Sequence, residues 1–380
     1  VNRTLEERRA RLAAGLDTSE NIREVFAKVP RHLFLPDRIW PKVVGAPLDR
    51  DTDPEGWADH AYADAPVITQ VNGGEEGTVN VPTSSSSAPS VMATMLRAAG
   101  VRQGQSVLEI GTGTGFNAAL LCELVGQGGR VLTLEIDPSV AVRARRALER
   151  TGYAPTVLLG DGTAGHESRE RFDSVIATCA VVRVPAGWFE RTRAGGVVVL
   201  PWSPGVTLPG GMMARLVVDA LTRSGEGRFA GGADFMPARE QRSRRGAPPD
   251  RGKVADRVWR VPGDARDLIL SGAGPQMALM NPGTAMGFQP VDGGGSLVWL
   301  AEPESSSWAR LHADGRMEQG GPGQLGERIW TSYEWWKAQG SPDLTEYGLT
   351  VTAEGEHRVW LRSPSGPSWT HLPVRPHTTV

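Results

Sequence analysis

Residues 106–137 read SVLEIGTGTGFNAALLCELVGQGGRVLTLEID. An apolar run (Val107, Leu108, Ile110) ends in the turn Gly111-Thr112-Gly113-Thr114-Gly115. An amphipathic stretch over 116–124 follows, then a second apolar run over 131–136 that carries Glu135 near its end. This order predicts strand, glycine-rich turn, helix, strand, the first half of a nucleotide-binding α/β unit. Glycine at 111, 113 and 115 lets the backbone turn sharply and come close to a ligand, because a Cβ there would clash or forbid the dihedral angles. Glu135 lies 20 residues after Gly115, at the tip of the second strand, where a carboxylate can accept both hydroxyls of a ribose.

The glycine spacing is G-x-G-x-G, unlike the G-x-G-x-x-G of dinucleotide enzymes, and Glu109 stands two positions before the first glycine. A carboxylate beside a pyrophosphate repels it; beside the amino group and sulfonium of S-adenosylmethionine it attracts. The segment therefore resembles motif I of the class I methyltransferases. That resemblance implies an α/β fold with a Rossmann-like, mostly parallel, doubly wound sheet, and S-adenosyl-L-methionine as cofactor with S-adenosyl-L-homocysteine as product. The candidate cofactor residues are Glu109, Gly111, Thr112, Gly113, Thr114, Gly115, Glu135, Ile136, Asp161 and Gly162, at successive strand ends.

Working outward, 380 residues suit two domains better than one. The balance of 41 basic and 43 acidic residues implies no attraction to nucleic acid or to a membrane. Two cysteines, Cys122 and Cys179, read as free thiols in a reducing compartment. The charged N-terminal helix is unlike a signal peptide, and no apolar run approaches the roughly 20 residues of a membrane span, so a cytoplasmic protein is expected. The seven histidines show no metal-ligand spacing, and no metal is expected. Residues 1–240 form the expected methyltransferase domain, with N-terminal helices over about 1–36 and a substrate-side loop over about 60–90. Within it, residues 37–83 lack periodicity and read as mostly loop. Residues 241–253 read as a basic linker. Residues 254–380 read as a smaller α+β domain holding eight of the twelve tryptophans, which fill its core or line a peptide-binding groove.

Several segments, in order, resemble the protein L-isoaspartyl O-methyltransferases. Residues 29–36 (VPRHLFLP) resemble the family's VPRxxFVP, Tyr62-Ala63-Asp64 its YxD element, and Ser87-Ala88-Pro89 the turn opening its substrate-side helix. EIGTGTGFNAALL is similar to EIGTGSGYQTAVL, and Phe235-Met236-Pro237 to the FVP that ends the last strand. The resemblance covers about residues 20–240. It implies a carboxylate acceptor held by hydroxyls, with Ser87 and Ser85 at the catalytic positions and Tyr62, Asp64, Ser84, Ser86 and Val182 on the substrate side. A peptide carboxylate is already ionised near neutral pH, so no general base is required. Positioning and exclusion of water supply the rate.

Three departures shift the expected substrate. An insertion follows the YxD element, Ser90 stands at the family's histidine position, and residues 254–380 have no counterpart in the small repair enzyme. The longer form resembles the methyltransferases of lanthipeptide and graspetide (ribosomal peptide) biosynthesis. Those esterify an ordinary aspartate of a cyclised precursor peptide, and the ester collapses to succinimide or isoaspartate. A peptide or protein partner of that kind is expected. The alternatives are the repair enzyme acting on isoaspartyl residues and an inactive methyltransferase fold that only binds peptide.

Overall fold

The computed structural model describes residues 4–371 other than 43–44, 76, 78, 165–169, 205–210, 242–247, 251, 263–267, 269–271 and 292–294. The chain divides into two compact units. One is Val1–Cys179, Pro185–Leu200 and Val217–Arg223; the other is Ala180–Val184, Pro201–Leu216 and Ser224–Val380.

The first unit opens with helices α1 (Leu5–Gly15) and α2 (Glu20–Lys28), short strands β1 (Arg38–Ile39) and β2 (Leu48–Asp49), and helix α3 (Pro54–Ala61). Strands β3 (Val67–Val71) and β4 (Pro82–Ser86) pair antiparallel and lead to helix α4 (Pro89–Ala99). The alternating part follows: β5 (Ser106–Ile110), α5 (Phe116–Val125), β6 (Arg130–Glu135), α6 (Pro138–Thr151), β7 (Thr156–Leu159), β8 (Phe172–Ala177), α7 (Ala186–Glu190) and β9 (Thr192–Trp202). Sequence sets the helix starts. Asp53 and Asp137 accept backbone N–H groups at the heads of α3 and α6, and a proline occupies the first turn of each.

Strand β5 pairs in parallel with β6 on one side (Leu108↔Leu132) and β8 on the other (Leu108↔Val175). With β7 beside β6 and β9 beside β8, the parallel order is β9-β8-β5-β6-β7. The glycine motif therefore leaves the sheet where the strand order reverses, the place at which open α/β sheets bind ligands. Val107, Leu108, Val175, Ile176, Val198 and Val199 bury the sheet's interior.

Residues 37–83, expected as mostly loop, contain α3 and the fully buried strand β3. Burial of all five β3 residues removes the two-residue alternation by which a half-buried strand is recognised.

The second unit contains most of β10 (Gly211–Val218), whose last two residues fall in the first, and its neighbour β11 (Gly225–Ala233), then β12 (Arg257–Arg260), helix α8 (Gly274–Met280), β13 (Ala285–Val291), β14 (Gly295–Glu302), β15 (Ser307–Leu311), β16 (Arg316–Gly320), helix α9 (Leu325–Ala338), β17 (Tyr347–Val351), β18 (His357–Leu361) and β19 (Ser368–His371). Strands β12-β16-β15-β14-β13 form an antiparallel sheet. Strand β11 pairs antiparallel with β17, which continues through β18 to β19.

The division between units thus falls elsewhere than the expected boundary at residue 240, because β11 finds its partner more than a hundred residues further along the chain. Nor are residues 249 and 250 an open tether: their carbonyls accept the Arg310 guanidinium. Four of the five basic residues of the expected linker, at 242, 244, 245 and 251, lie outside the described residues.

Three of the tryptophans have a specific structural use. Trp299, Trp308 and Trp360 are buried, and each lies directly across from a glycine on the next strand: Gly287↔Trp299, Trp308↔Gly320 and Gly348↔Trp360. A Cβ at any of the three glycines would overlap the indole.

Candidate active site

The turn after β5 requires its glycines. Gly111, Gly113 and Gly115 have φ of +94°, +54° and +86°, and a Cβ at Gly111 would come 2.7 Å from the Thr178 Oγ1. The Gly113 N–H donates to Glu135 Oε2 at 2.8 Å and the Asp137 N–H to Glu135 Oε1 at 3.0 Å. Glu135 is 8% exposed, and the Ile136 N–H also bonds to its carboxylate. Burial raises its carboxyl pKa, against the hydrogen bonds that favour the carboxylate. Ile136 beside it is half-buried. Asp161 Oδ1 accepts the N–H and hydroxyl of Thr163, closing a turn. Gly162 packs against β5, for a Cβ there would come 2.5 Å from Ile110 Cγ2.

Two expected cofactor contacts are replaced by inward ones. Glu109 is 0% exposed; Asn117 Nδ2 donates to its Oε1 at 2.7 Å and Thr133 Oγ1 to its Oε2 at 2.5 Å. Burial pushes its carboxyl up to about 7. Its place on β5 turns it beneath the loop, between α5 and β6, so it braces the turn and does not attract a ligand directly. The Thr112 hydroxyl is likewise buried, 2.7 Å from the Thr133 hydroxyl.

The serine run forms the end of β4, and alternation along the strand sorts its members. Ser84 is buried and its hydroxyl accepts from Thr69 Oγ1; Ser86 is buried and its hydroxyl accepts from Arg31 Nε. These two hydroxyls are thus bonded within the protein. Ser85 and the following Ser87 are half-buried, and among the described residues their hydroxyls have no hydrogen-bond partner. The backbone of this strand lies against the glycine turn: a Cβ on Gly113 would sit 3.4 Å from the Ser85 carbonyl oxygen.

Tyr62 is buried with its hydroxyl 2.5 Å from His32 Nδ1. Asp64 Oδ1 accepts the Ser90 N–H at 2.8 Å, at the first turn of α4. Both side chains thus organise the walls next to the serines. Val182 belongs to the second unit, where its N–H donates to Gln241 Oε1 and its carbonyl accepts from Trp202 Nε1, each at 2.9 Å.

Arg31 is the organiser that residue-by-residue reading missed. It is 0% exposed, and its guanidinium donates to Ser86 Oγ and to the carbonyls of Ala61, Ala63, Ala65, Ser86 and Ser87. One side chain thereby ties the segment after α3 to the end of β4. Its desolvation lowers the pKa to about 10, which leaves it charged at neutral pH. The available signal was a lone cation inside an otherwise apolar run. Among the described residues no group of three histidine, cysteine or acidic side chains is arranged to hold a metal, and no helix is long and apolar enough to cross a membrane.

A switch-point glycine turn, an acidic residue closing β6 and a hydroxyl-bearing strand against the turn define a class I S-adenosylmethionine-dependent methyltransferase. The family model for protein-L-isoaspartate(D-aspartate) O-methyltransferase matches residues 6–208, more than half of the chain, and the protein belongs to that family. It is therefore an S-adenosylmethionine-dependent protein carboxyl O-methyltransferase. The chain is 35% identical over 191 residues to the protein-L-isoaspartate O-methyltransferase of Ignicoccus hospitalis, a match covering 50% of this chain and 77% of that one. It is 33% identical over 227 residues to the enzyme of the same name from Methanopyrus kandleri, covering 59% and 85%. A solved protein-L-isoaspartate O-methyltransferase shares the fold at a TM-score of 0.53 and 22% identity, over 94% of this chain and all of that one.

The residues fit the cofactor. Glu135 offers two anchored oxygens, the glycine backbone leaves the space a Cβ would fill, and nothing but backbone lies against Gly113.

Proposed function

We propose that this protein methylates the free carboxyl of L-isoaspartyl residues in proteins or peptides, the activity named for its relatives. The observation that carries the reading is the separation at the end of β4: Ser84 and Ser86 are bonded inward, while the hydroxyls of Ser85 and Ser87 are open and the Ser85 backbone lies against the glycine turn. When bound, S-adenosylmethionine supplies a sulfonium methyl that a carboxylate oxygen takes in line, the carbon–sulfur electron pair returning to sulfur. The protein's part is positional. Glu135 and the turn hold the ribose and methionine portions, Ser87 and Ser85 orient the acceptor oxygen, and Arg31 keeps the serine strand in place. An ionised acceptor needs no base, and closure against water strengthens each contact.

A second reading, an aspartate in a cyclised ribosomal peptide, is favoured by Ser90 at the histidine position and by the residues inserted between β3 and β4. Peptide recognition by the tryptophan-bearing region belongs to that reading. The test is methyl transfer to a linear isoaspartyl peptide, its aspartyl isomer and a cyclised aspartyl peptide, side by side. Turnover of the isoaspartyl peptide alone is expected. Turnover of the cyclised peptide alone would select the second reading. Binding of S-adenosylmethionine without transfer to any of them would leave an inactive peptide-binding fold.

A further inference from the structure

Three arginines of α6, at positions 143, 146 and 150, share one helix face by their spacing of three and four. They line a cavity of about 210 Å³ whose other walls include Leu33, Leu35, Thr69, Ser84 and Gly113. Seven water volumes of roughly 30 Å³ each would fill it, room enough for a side chain or two. All three arginines are exposed, and among the described residues none of them pairs with a carboxylate. Arg143 reaches only Ser139 Oγ on its own helix and Arg150 only the Leu33 carbonyl, both at a long 3.4 Å. Glu149, three residues beyond Arg146, forms no ion pair with it. Elsewhere in the same unit arginines are paired: Arg8 with Glu55 and Asp59, Arg38 with Asp49, Arg193 with Asp173. Arg145, on the same helix, is spent on the Val157 carbonyl.

We propose that this cavity binds an acidic stretch of the peptide substrate, next to the residue that is methylated; as to what lies next to it, the inference rests on the acceptor placement given above. The cavity wall includes Gly113, against which the Ser85 backbone lies, so a peptide bound beside the glycine turn also reaches the arginines. Leucine walls suit the methylene stem of a glutamate while the guanidinium rim takes its carboxylate. Nucleic acid is a poorer occupant, because a net charge of −2 provides no broad basic surface to track a phosphate backbone.

The experiment begins with binding that does not depend on methyl transfer. Fluorescein-labelled tetraglutamate and tetraglutamine are titrated by anisotropy against the full chain with S-adenosylhomocysteine present. Tetraglutamate should bind at least about tenfold tighter, weaken as salt rises, and lose that advantage in an R143Q/R146Q/R150Q variant and in an R146E/R150E variant. Unchanged thermal midpoints would show that both variants fold. Equal binding of the two peptides, or tetraglutamate binding indifferent to both variants, overturns the proposal. So does arginine-dependent binding of a single-stranded oligothymidylate without binding of tetraglutamate. In turnover, an isoaspartyl hexapeptide with two neighbouring glutamates should exceed its glutamine counterpart in kcat/KM by about tenfold, with the ratio falling toward one in the triple variant. If no isoaspartyl peptide is turned over while tetraglutamate binding keeps its arginine dependence, the acceptor assignment has failed and the acidic site has not.

Discussion

Ser86 and Ser87 are neighbours with opposite surroundings: one hydroxyl is bonded to Arg31, the other is open. In an extended strand consecutive side chains leave on opposite faces, so a run of identical residues is divided into two functions by geometry alone. A hydroxyl donating to an ionised carboxylate is worth about 1.5–3 kcal/mol, so Ser87→Ala should lower kcat by about 10- to 100-fold. The affinity for S-adenosylmethionine, measured by calorimetry, should change by less than about twofold, because the hydroxyl orients the acceptor and not the donor. Equal losses in both would point to collapse of the strand. The serine run, the glycine turn and Glu135 could be picked out from residue type and spacing. The inward turn of Glu109 could not, because which face of β5 it leaves depends on the burial of both sides of the sheet.

At the scale of elements, three tryptophans of the second unit, Trp299, Trp308 and Trp360, cover glycines on adjacent strands. A glycine in a strand weakens it by leaving backbone bare; a cross-strand indole restores the lost packing and buries a large apolar surface. Gly287→Ala, which drives a methyl into the Trp299 ring, should therefore cost about 1–3 kcal/mol in urea unfolding. Gly187→Ala in α7, where a Cβ meets nothing within 4 Å, should be neutral or stabilising. Equal costs at the two sites would refute the pairing as the reason for the glycine. Composition alone left the tryptophans divided between a core and a groove, since strand register decides what each indole faces.

For the whole molecule, two sets of buried groups give stability opposite dependences on pH. Burial holds the Glu109 carboxyl at about 7 against an ordinary value of 4.5, so the folded chain keeps a proton that the unfolded chain releases. Its contribution therefore falls as pH rises from about 4.5 to about 7. His357 and His371, stacked and edge-on against Trp202, are pushed down to about 4 by burial. Neutral His357 accepts the Val184 N–H at Nε2, a bond that protonation removes. The unfolded chain takes these protons near 6.5, so their contribution is lost as pH falls from about 6.5 to about 4. Each limb is on the order of 3 kcal/mol per group. Denaturant titrations across this range should show Glu109→Gln flattening the fall toward neutral pH and His357→Gln flattening the acid side. Parent-like slopes in both variants would show that neither group is the source.

The sequence by itself determined the parallel α/β core, its glycine turn and the class of cofactor, because those depend on local backbone freedom and short-range spacing; it marked the serine run by residue type but not as a strand. Tertiary structure alone decided the rest. Burial on both faces hid β3 from any periodic reading. Pairing of β11 with β17 moved the boundary between units, since such a partner leaves no mark near it in the chain. Arg31 acquired its six acceptors from segments thirty and more residues away, and the three arginines of α6 became one cavity wall only when the segment after Pro30 and the end of β4 were folded against them. Charge, hydroxyl and glycine are visible in a sequence; which of them meet is settled by packing.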